Sequence, residues 1–240
     1  MENIKGDDSA NKYIKALMDI SGAINSDLYL EDILKLIVMV TAQVTGVEIC
    51  SLWLIEDDDN GNQKKIRLKA TQTIEPAYVK DRELNINEGV VGHVAAGKKP
   101  LIVGDVLKEP LFKEKEMARG LGLKSLVSVP LLLRDKRVIG VLNCFTSEFH
   151  EFTDTEVNLI TTVANQAAVA IYNSELVIKT KVIQEELETR KLVERAKEVL
   201  MRRAEMSADD AFRWMQKKSM DSRKSMRSIA EALLLSEELY

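Results

Sequence analysis

The chain has 240 residues, of which 45% are hydrophobic and 30% charged, with a net charge of −4. That balance is ordinary for a folded globular protein and excludes disorder over most of the length. No apolar run approaches the roughly 20 residues needed to span a bilayer. The polar start MENIKGDDSANKYIK has no apolar signal core, so the expectation is a cytoplasmic protein with no membrane partner. Cys50 and Cys144 lie far apart and outside any C-x-x-C spacing. They read as small buried residues of a reducing compartment rather than as a disulfide framework.

Helical spacing runs through Ile14, Leu17, Met18 and Ile20, and again through Ile33, Leu34, Ile37, Val38, Val40 and Val44. Asn25-Ser26-Asp27 divides the two helices and Gly46 ends the second. Glu48 to Ile55 has strand composition. Asn60-Gly61 is a hairpin-turn signal, and the return strand is Lys65 to Thr71. There Ile66, Leu68 and Ala70 are expected on one face, with Arg67 and Lys69 on a wet one. Gly89 to Gly97 reads as a turn entering a short helix, and Leu101 to Val103 as a short strand. Asp105 to Gly122 reads as irregular, with one or two helical turns. Ser125 to Leu133 and Val138 to Phe145 form a second hairpin across Arg134-Asp135-Lys136.

Thr153-x-x-Glu156 is a capping box opening a helix. No Gly or Pro interrupts the chain from Glu156 to Arg203. Along it Ala164, Ala168, Ile171, Glu175, Ile178, Val182, Glu185, Thr189, Leu192, Ala196 and Val199 alternate in steps of four and three. Such a seam points to a helix pair and hence to a homodimer through about residues 172–195. Ser207-x-x-Asp210 opens a further helix to about Ser219, and Asp221-Ser222 is expected to open the last.

Residues 12–173 resemble a GAF domain. The resemblance rests on Gly89-Val-Val-Gly92-His-Val-Ala95, Gly97-Lys-Lys-Pro100, Asp105, Ser125-Leu-Val-Ser-Val-Pro130, Gly140-Val-Leu-Asn143 and Phe152-Thr-Asp-Thr-Glu156, in that order. It implies a central antiparallel sheet with the terminal helices on one face and a ligand pocket on the other. It also implies that His93, Asp105, Phe112, Met117, Asn143 and Cys144 line that pocket. The ligand is an unidentified small molecule, and no cofactor is assigned. Asn143 is followed by Cys144 where cyclic-nucleotide members carry Lys, which weakens that ligand class. His93 alone is a thin basis for haem, which needs an axial ligand. Cys144 fits a small buried hydrophobe better than a bilin attachment or redox thiol. No cluster has metal-ligand spacing.

Residues from about Thr180 onward resemble an ANTAR domain, the RNA-binding antiterminator module. Val193-Glu-Arg195-Ala196-Lys197 is followed by Met206-Ser207 and Ala211-Phe212-Arg-Trp214, then by Lys224-Ser-Met226-Arg-Ser-Ile229-Ala230. Glu198 stands where the family commonly has Gly. From Arg195 to Arg227 there are ten basic residues against five acidic, within an acidic protein. Phosphate binding needs such a local excess. Ala196, Leu200, Ala211, Met215, Ile229 and Leu233 are spaced to close a small core. Arg195, Lys197, Arg223, Lys224 and Arg227 are the expected RNA-binding residues. Trp214 is either a base-stacking surface or core.

The expected fold class is α+β: a GAF-like antiparallel sheet flanked by helices, then a long coiled-coil-like helix and a small three-helix ANTAR-like domain. The expected domains are a sensor at 1–173, a linking helix at 174–192 and an RNA-binding domain at 193–240. The expected function is that of a non-enzymatic, signal-responsive antitermination regulator, whose dimer binds paired RNA stem-loops near terminators. The alternatives are a constitutive dimerisation or protein-interaction module without ligand, and an enzyme. The phosphate-binding Gly-x-x-x-x-Gly-Lys loop and the Gly-x-Ser-x-Gly elbow are both absent from the sequence.

Overall fold

The computed structural model describes residues 18, 30–57, 64–72 and 82–238. The helix expected before Asn25, Met18 apart, and the Asn60-Gly61 turn lie outside the described residues. The chain divides into two compact units, residues 1–175 and 176–240.

The first unit is built on a six-stranded antiparallel sheet. Its strands are β1 (Ile49–Asp57), β2 (Lys64–Thr71), β3 (Glu83–Asn85), β4 (Leu101–Val103), β5 (Ser125–Leu132) and β6 (Val138–Thr146). Their spatial order is β3-β2-β1-β6-β5-β4. Among the described residues its helices are α1 (Leu30–Thr45), α2 (Gly89–Gly97), α3 (Lys115–Gly120) and the start of α4 (Asp154–Ala204). Gly46 ends α1 at φ +73°, a conformation that Gly adopts without a Cβ clash. The expected capping box forms at α4. The Thr153 amide donates to the Glu156 carboxylate at 2.7 Å, and the Glu156 amide donates back to Thr153 Oγ1 at 3.3 Å.

Period-two alternation sends successive β6 residues to opposite faces. Leu142 and Cys144 join a core with Ile33, Ile37, Leu52, Val127, Val163 and Ile171, contributed by α1, α4 and the sheet. Val141 and Phe145 join a second core with Trp53, Ile66, Val90, Val91, Val94 and Phe112. The central strands are therefore buried on both sides. A Cβ on Gly140 would lie 2.2 Å from the Trp53 carbonyl oxygen, so only Gly lets β6 approach β1 that closely.

The expected alternation along β2 fails at one residue. Leu52 pairs with Ala70 and Trp53 with Leu68, so the register skips Lys69. This bulge turns Ala70 into the core under α1, while Ile66 and Leu68 stay with Trp53 on the other face. The wet face is confined to the outer part of β2, where Lys65 and Arg67 pair with Glu83, and Lys69 pairs with Glu56.

In the second unit, the end of α4 packs with α5 (Ala208–Ser222) and α6 (Met226–Glu238). Val193, Ala196, Leu200, Ala211, Met215 and Ala230 are its buried core, with Leu192, Trp214, Ile229 and Leu233 packed against it. Ser207 caps α5, accepting the Asp210 amide at 3.2 Å. Asp221 and Ser222 do not start the last helix, as expected from sequence, but finish α5. Arg223 then adopts φ +53° and Ser225 accepts the Ser228 amide, so the true cap lies three residues later. Ser207→Ala is expected to destabilise this unit by about 1 kcal/mol. For a unit this small, that lowers the melting temperature by roughly 5 °C, which calorimetry reads.

Candidate functional site

The face of the sheet under α2 carries a polar row. Ser51, Asn143 and Ser128 are directly opposite one another on β1, β6 and β5, and all three are buried. Ser128 Oγ donates to Asn143 Oδ1 at 2.6 Å, and the Trp53 indole donates to Ser51 Oγ at 3.2 Å. The other end of the Asn143 amide has no partner among the described residues. Beside it lies a cavity of about 30 Å³, walled by Trp53, Leu84, Val90, Val91, Phe112 and Phe145. That volume is comparable to the share of liquid volume that one water occupies.

The six pocket residues expected from sequence separate in the structure. Phe112 and Asn143 line the cavity, and Met117 packs on the same core. His93 is exposed on α2. Asp105 accepts the Leu107 amide at 3.0 Å and pairs with Lys108, organising the loop after β4. Cys144 is on the wrong face, because one residue along a strand from Asn143 reverses the side chain. It faces Cys50, its cross-strand partner, with the two Sγ atoms 3.5 Å apart. Both thiols are free and buried, and burial, then Cys144 itself, pushes the Cys50 thiol well up.

Two ion pairs of opposite polarity hold the segment that carries Phe112. Lys113 Nζ meets Glu88 at 2.7 Å, and the next residue, Glu114, meets Arg82. Lys113 and the Asn85 amide hold the Glu88 carboxyl at about 2, against an ordinary 4.5. Burial pushes Glu114 above the usual carboxylate range despite Arg82. Glu88 therefore contributes stability that is present above its unfolded pKa and is lost as pH falls through about 2. Glu114 has the opposite sign: its contribution grows as pH falls from its raised value toward the unfolded one. Acidification is expected to protonate Glu114 before Glu88. Carboxyl chemical shifts followed by NMR between about pH 2 and 8 read that order.

The cations expected to bind RNA also divide. Arg195, Arg223 and Lys224 are exposed and form no ion pair among the described residues. Arg223 and Lys224 form the turn between α5 and α6, where their amides donate to Met220 and Ser219. Lys197 is largely covered and pairs with Glu194 at 2.6 Å. Arg227 pairs with Glu231 at 2.8 Å, which raises its pKa, with smaller help from Glu188 and Glu185. Phe212 is exposed, while Trp214 packs partly on the core with the Lys218 ammonium 5.6 Å from its ring centre.

The GAF domain family model matches residues 29–171, more than half of the chain. The chain belongs to the GAF domain family. An ANTAR domain follows at residues 181–234. Among curated proteins, the Mycobacterium tuberculosis transcriptional regulatory protein PdtaR is 33% identical over 119 residues, covering 50% of this chain and 47% of that protein. A methyl sulfide methyltransferase-associated sensor of Methanosarcina acetivorans is 26% identical over 152 residues, covering 62% of this chain and 15% of the sensor. The chain thus spans less than half the length of each. Among solved structures, the GAF domain of a Coxiella burnetii phosphoenolpyruvate-protein phosphotransferase is 26% identical. It superimposes with a TM-score of 0.58, covering 70% of this chain and 96% of that one.

The GAF domain's cavity walls were partly missed by sequence reasoning. Phe145 lies two residues beyond Asn143 on β6, so strand periodicity alone would have placed both on one face. Trp53 was obscured by the bulge opposite it, and no local signal marks Leu84.

Proposed function

We propose that this chain is a signal-responsive RNA-binding regulator of transcription antitermination, regulatory rather than catalytic and working in the cytoplasm. Residues 1–173 serve as the GAF sensor, 174–192 as the linking helix and 193–240 as the RNA-binding output domain. The observation that carries the reading is the ANTAR match at 181–234, together with the exposed Arg195, Arg223 and Lys224 on its three-helix unit. The likeness to a transcriptional regulatory protein supports the same reading. No helix among the described residues is long and apolar enough to cross a membrane.

In this reading two chains join through α4, so that two output domains hold the two stem-loops of one RNA and prevent a terminator from forming. A small molecule in the GAF domain shifts the balance between competent and incompetent arrangements, through its differential affinity for them. The test is a titration of an RNA carrying two stem-loops with the full chain, against a single stem-loop and duplex DNA of equal charge. Tighter binding of the two-loop RNA supports the reading; equal binding of all three excludes it.

The cavity of about 30 Å³ favours a second reading, a constitutive dimerisation module whose GAF domain takes no ligand. Native mass spectrometry of the purified chain separates the two by reporting dimer mass and any retained small molecule.

A further inference from the structure

An aromatic ring, Phe112, walls the small cavity of the GAF domain. Phe112 is buried, and its ring meets Phe145 edge-on at 6.1 Å between centroids. It comes from the irregular segment between β4 and α3, not from the sheet. That segment folds largely on itself: Asp105 accepts the Leu107 amide, Glu109 accepts the Leu111 amide, and the Phe112 amide donates to the Glu109 carbonyl. Its far end is clipped by the Lys113–Glu88 and Glu114–Arg82 pairs. Beneath the ring, Asn143 is 3% exposed and has one end of its amide unpartnered. That end of the amide belongs to the cavity lining, where it is open to a hydrogen-bonding group.

We infer that the Phe112 ring is a built-in occupant of the cavity, which a small neutral aromatic molecule bearing a carbonyl or amide displaces, with Asn143 as its polar anchor. The walls suit a flat, largely apolar ligand: Trp53, Leu84, Val90, Val91 and Phe145 line the cavity beside Phe112, with Lys113 and Glu114 as its charged members. Vacating the ring enlarges the cavity toward the size, about 150 Å³, of apolar cavities that admit benzene. The polar row explains why a plain hydrocarbon is the poorer ligand. An amide on the ring completes the hydrogen bonding of Asn143, whichever way its own amide is turned. The two ion pairs set how readily the segment lifts. Binding is weakened by the fraction of molecules in which the cavity is closed, and loosening the clip raises affinity by raising the open fraction.

This inference rests on reading the GAF domain as a small-molecule sensor. Its test uses the full chain with benzamide as the probe and toluene as the apolar control. The signal is Trp53 fluorescence in a Trp214→Phe background. Phe112→Ala is expected to bind benzamide at least tenfold more tightly than the background protein, and to prefer it to toluene. Adding Asn143→Leu should abolish the preference while keeping toluene binding. Lys113→Ala, with Phe112 intact, should raise benzamide affinity severalfold. Phe112→Leu serves in the same way should the alanine variant not fold, as judged by circular dichroism. A folded Phe112 variant that binds neither probe more tightly than the background overturns the inference, and so does benzamide binding that ignores Asn143. The sensor reading fails separately, when the chain's response to RNA is unchanged by every ligand that does occupy the cavity.

Discussion

Replacing Arg223 and Lys224 together by Ala is expected to weaken binding of a two-stem-loop RNA by about 100-fold or more. Each charge-assisted contact to phosphate contributes roughly 1.5–3 kcal/mol. Two lost contacts in one protomer therefore amount to about two decades in affinity, and a dimer holding both stem-loops loses them twice. The salt dependence should flatten in step, by up to about 0.7–0.9 units of slope per lost phosphate contact. The fold is insulated from the change. The turn is held by backbone amides of Arg223 and Lys224, which Ala keeps. Arg223 sits at φ +53° whether its side chain is long or short, so Ala adds no strain. Arg227→Ala, by contrast, should lose less than either, because its guanidinium is already committed to Glu231. Unchanged affinity and salt slope in a folded double mutant would move the RNA surface elsewhere on the unit.

The sequence made the order of elements legible because that order is written in local signals. The capping box at Thr153, the turn at Gly46 and the turn at Arg134-Asp135-Lys136 each act over three or four residues. What failed were features set by a neighbouring strand or helix. Nothing in Lys65 to Thr71 marks the bulge at Lys69; it is imposed by pairing with Leu52 and Trp53. Cys144 and Asn143 fall in one motif, and a family motif names positions without saying which face each takes. The late start of α6 has a similar origin. Asp221 and Ser222 are good capping residues by type, but α5 is stabilised to Ser222 by its own helix, and Ser225 takes the role. Pairing on the cationic surface, by contrast, was legible in the sequence and was passed over. Lys197 and Arg227 have the right charge, yet Glu194 and Glu231 stand one helical turn away and engage them.

Changing Ile183 and Leu187 to Glu is expected to convert a dimer to a monomer, whereas the same change at Ile178 and Val182 should leave most of it intact. The seam read from sequence ran through Ile178, Val182, Leu192, Ala196 and Val199. The last three are not available to a partner: Leu192 and Ala196 pack in the second unit's own core and Val199 is buried. At its other end, Ala164, Ala168 and Ile171 are buried under the GAF sheet. Between residues 176 and 187 the exposed apolar side chains of α4, Val177 apart, fall in two stripes. At about 100° per residue, Leu176, Ile183 and Leu187 fall within about 40° of one another, with Ile178 and Val182 on roughly the opposite side. Ile183 and Leu187 are 65% and 51% exposed, a large apolar area for a monomer to leave in water. With Thr180 they form a four-three alternation, Leu176-Thr180-Ile183-Leu187, that carries no charge, whereas the other stripe meets Glu185 three residues after Val182. In a parallel pair this register also brings Glu186 of one chain beside Lys191 of the other, an attraction at the flanking positions of the seam. Burying each Ile or Leu is worth about 1.5–3 kcal/mol at most. Four such side chains per dimer replaced by carboxylates that resist desolvation should weaken association by at least about 1,000-fold, near 4 kcal/mol. Sedimentation equilibrium reads the dissociation constant directly. The same monomer should still bind a single stem-loop while losing its advantage on the two-loop RNA. If the Ile178 and Val182 variant dissociates instead, the interface is the opposite stripe, and the Glu186–Lys191 register is wrong.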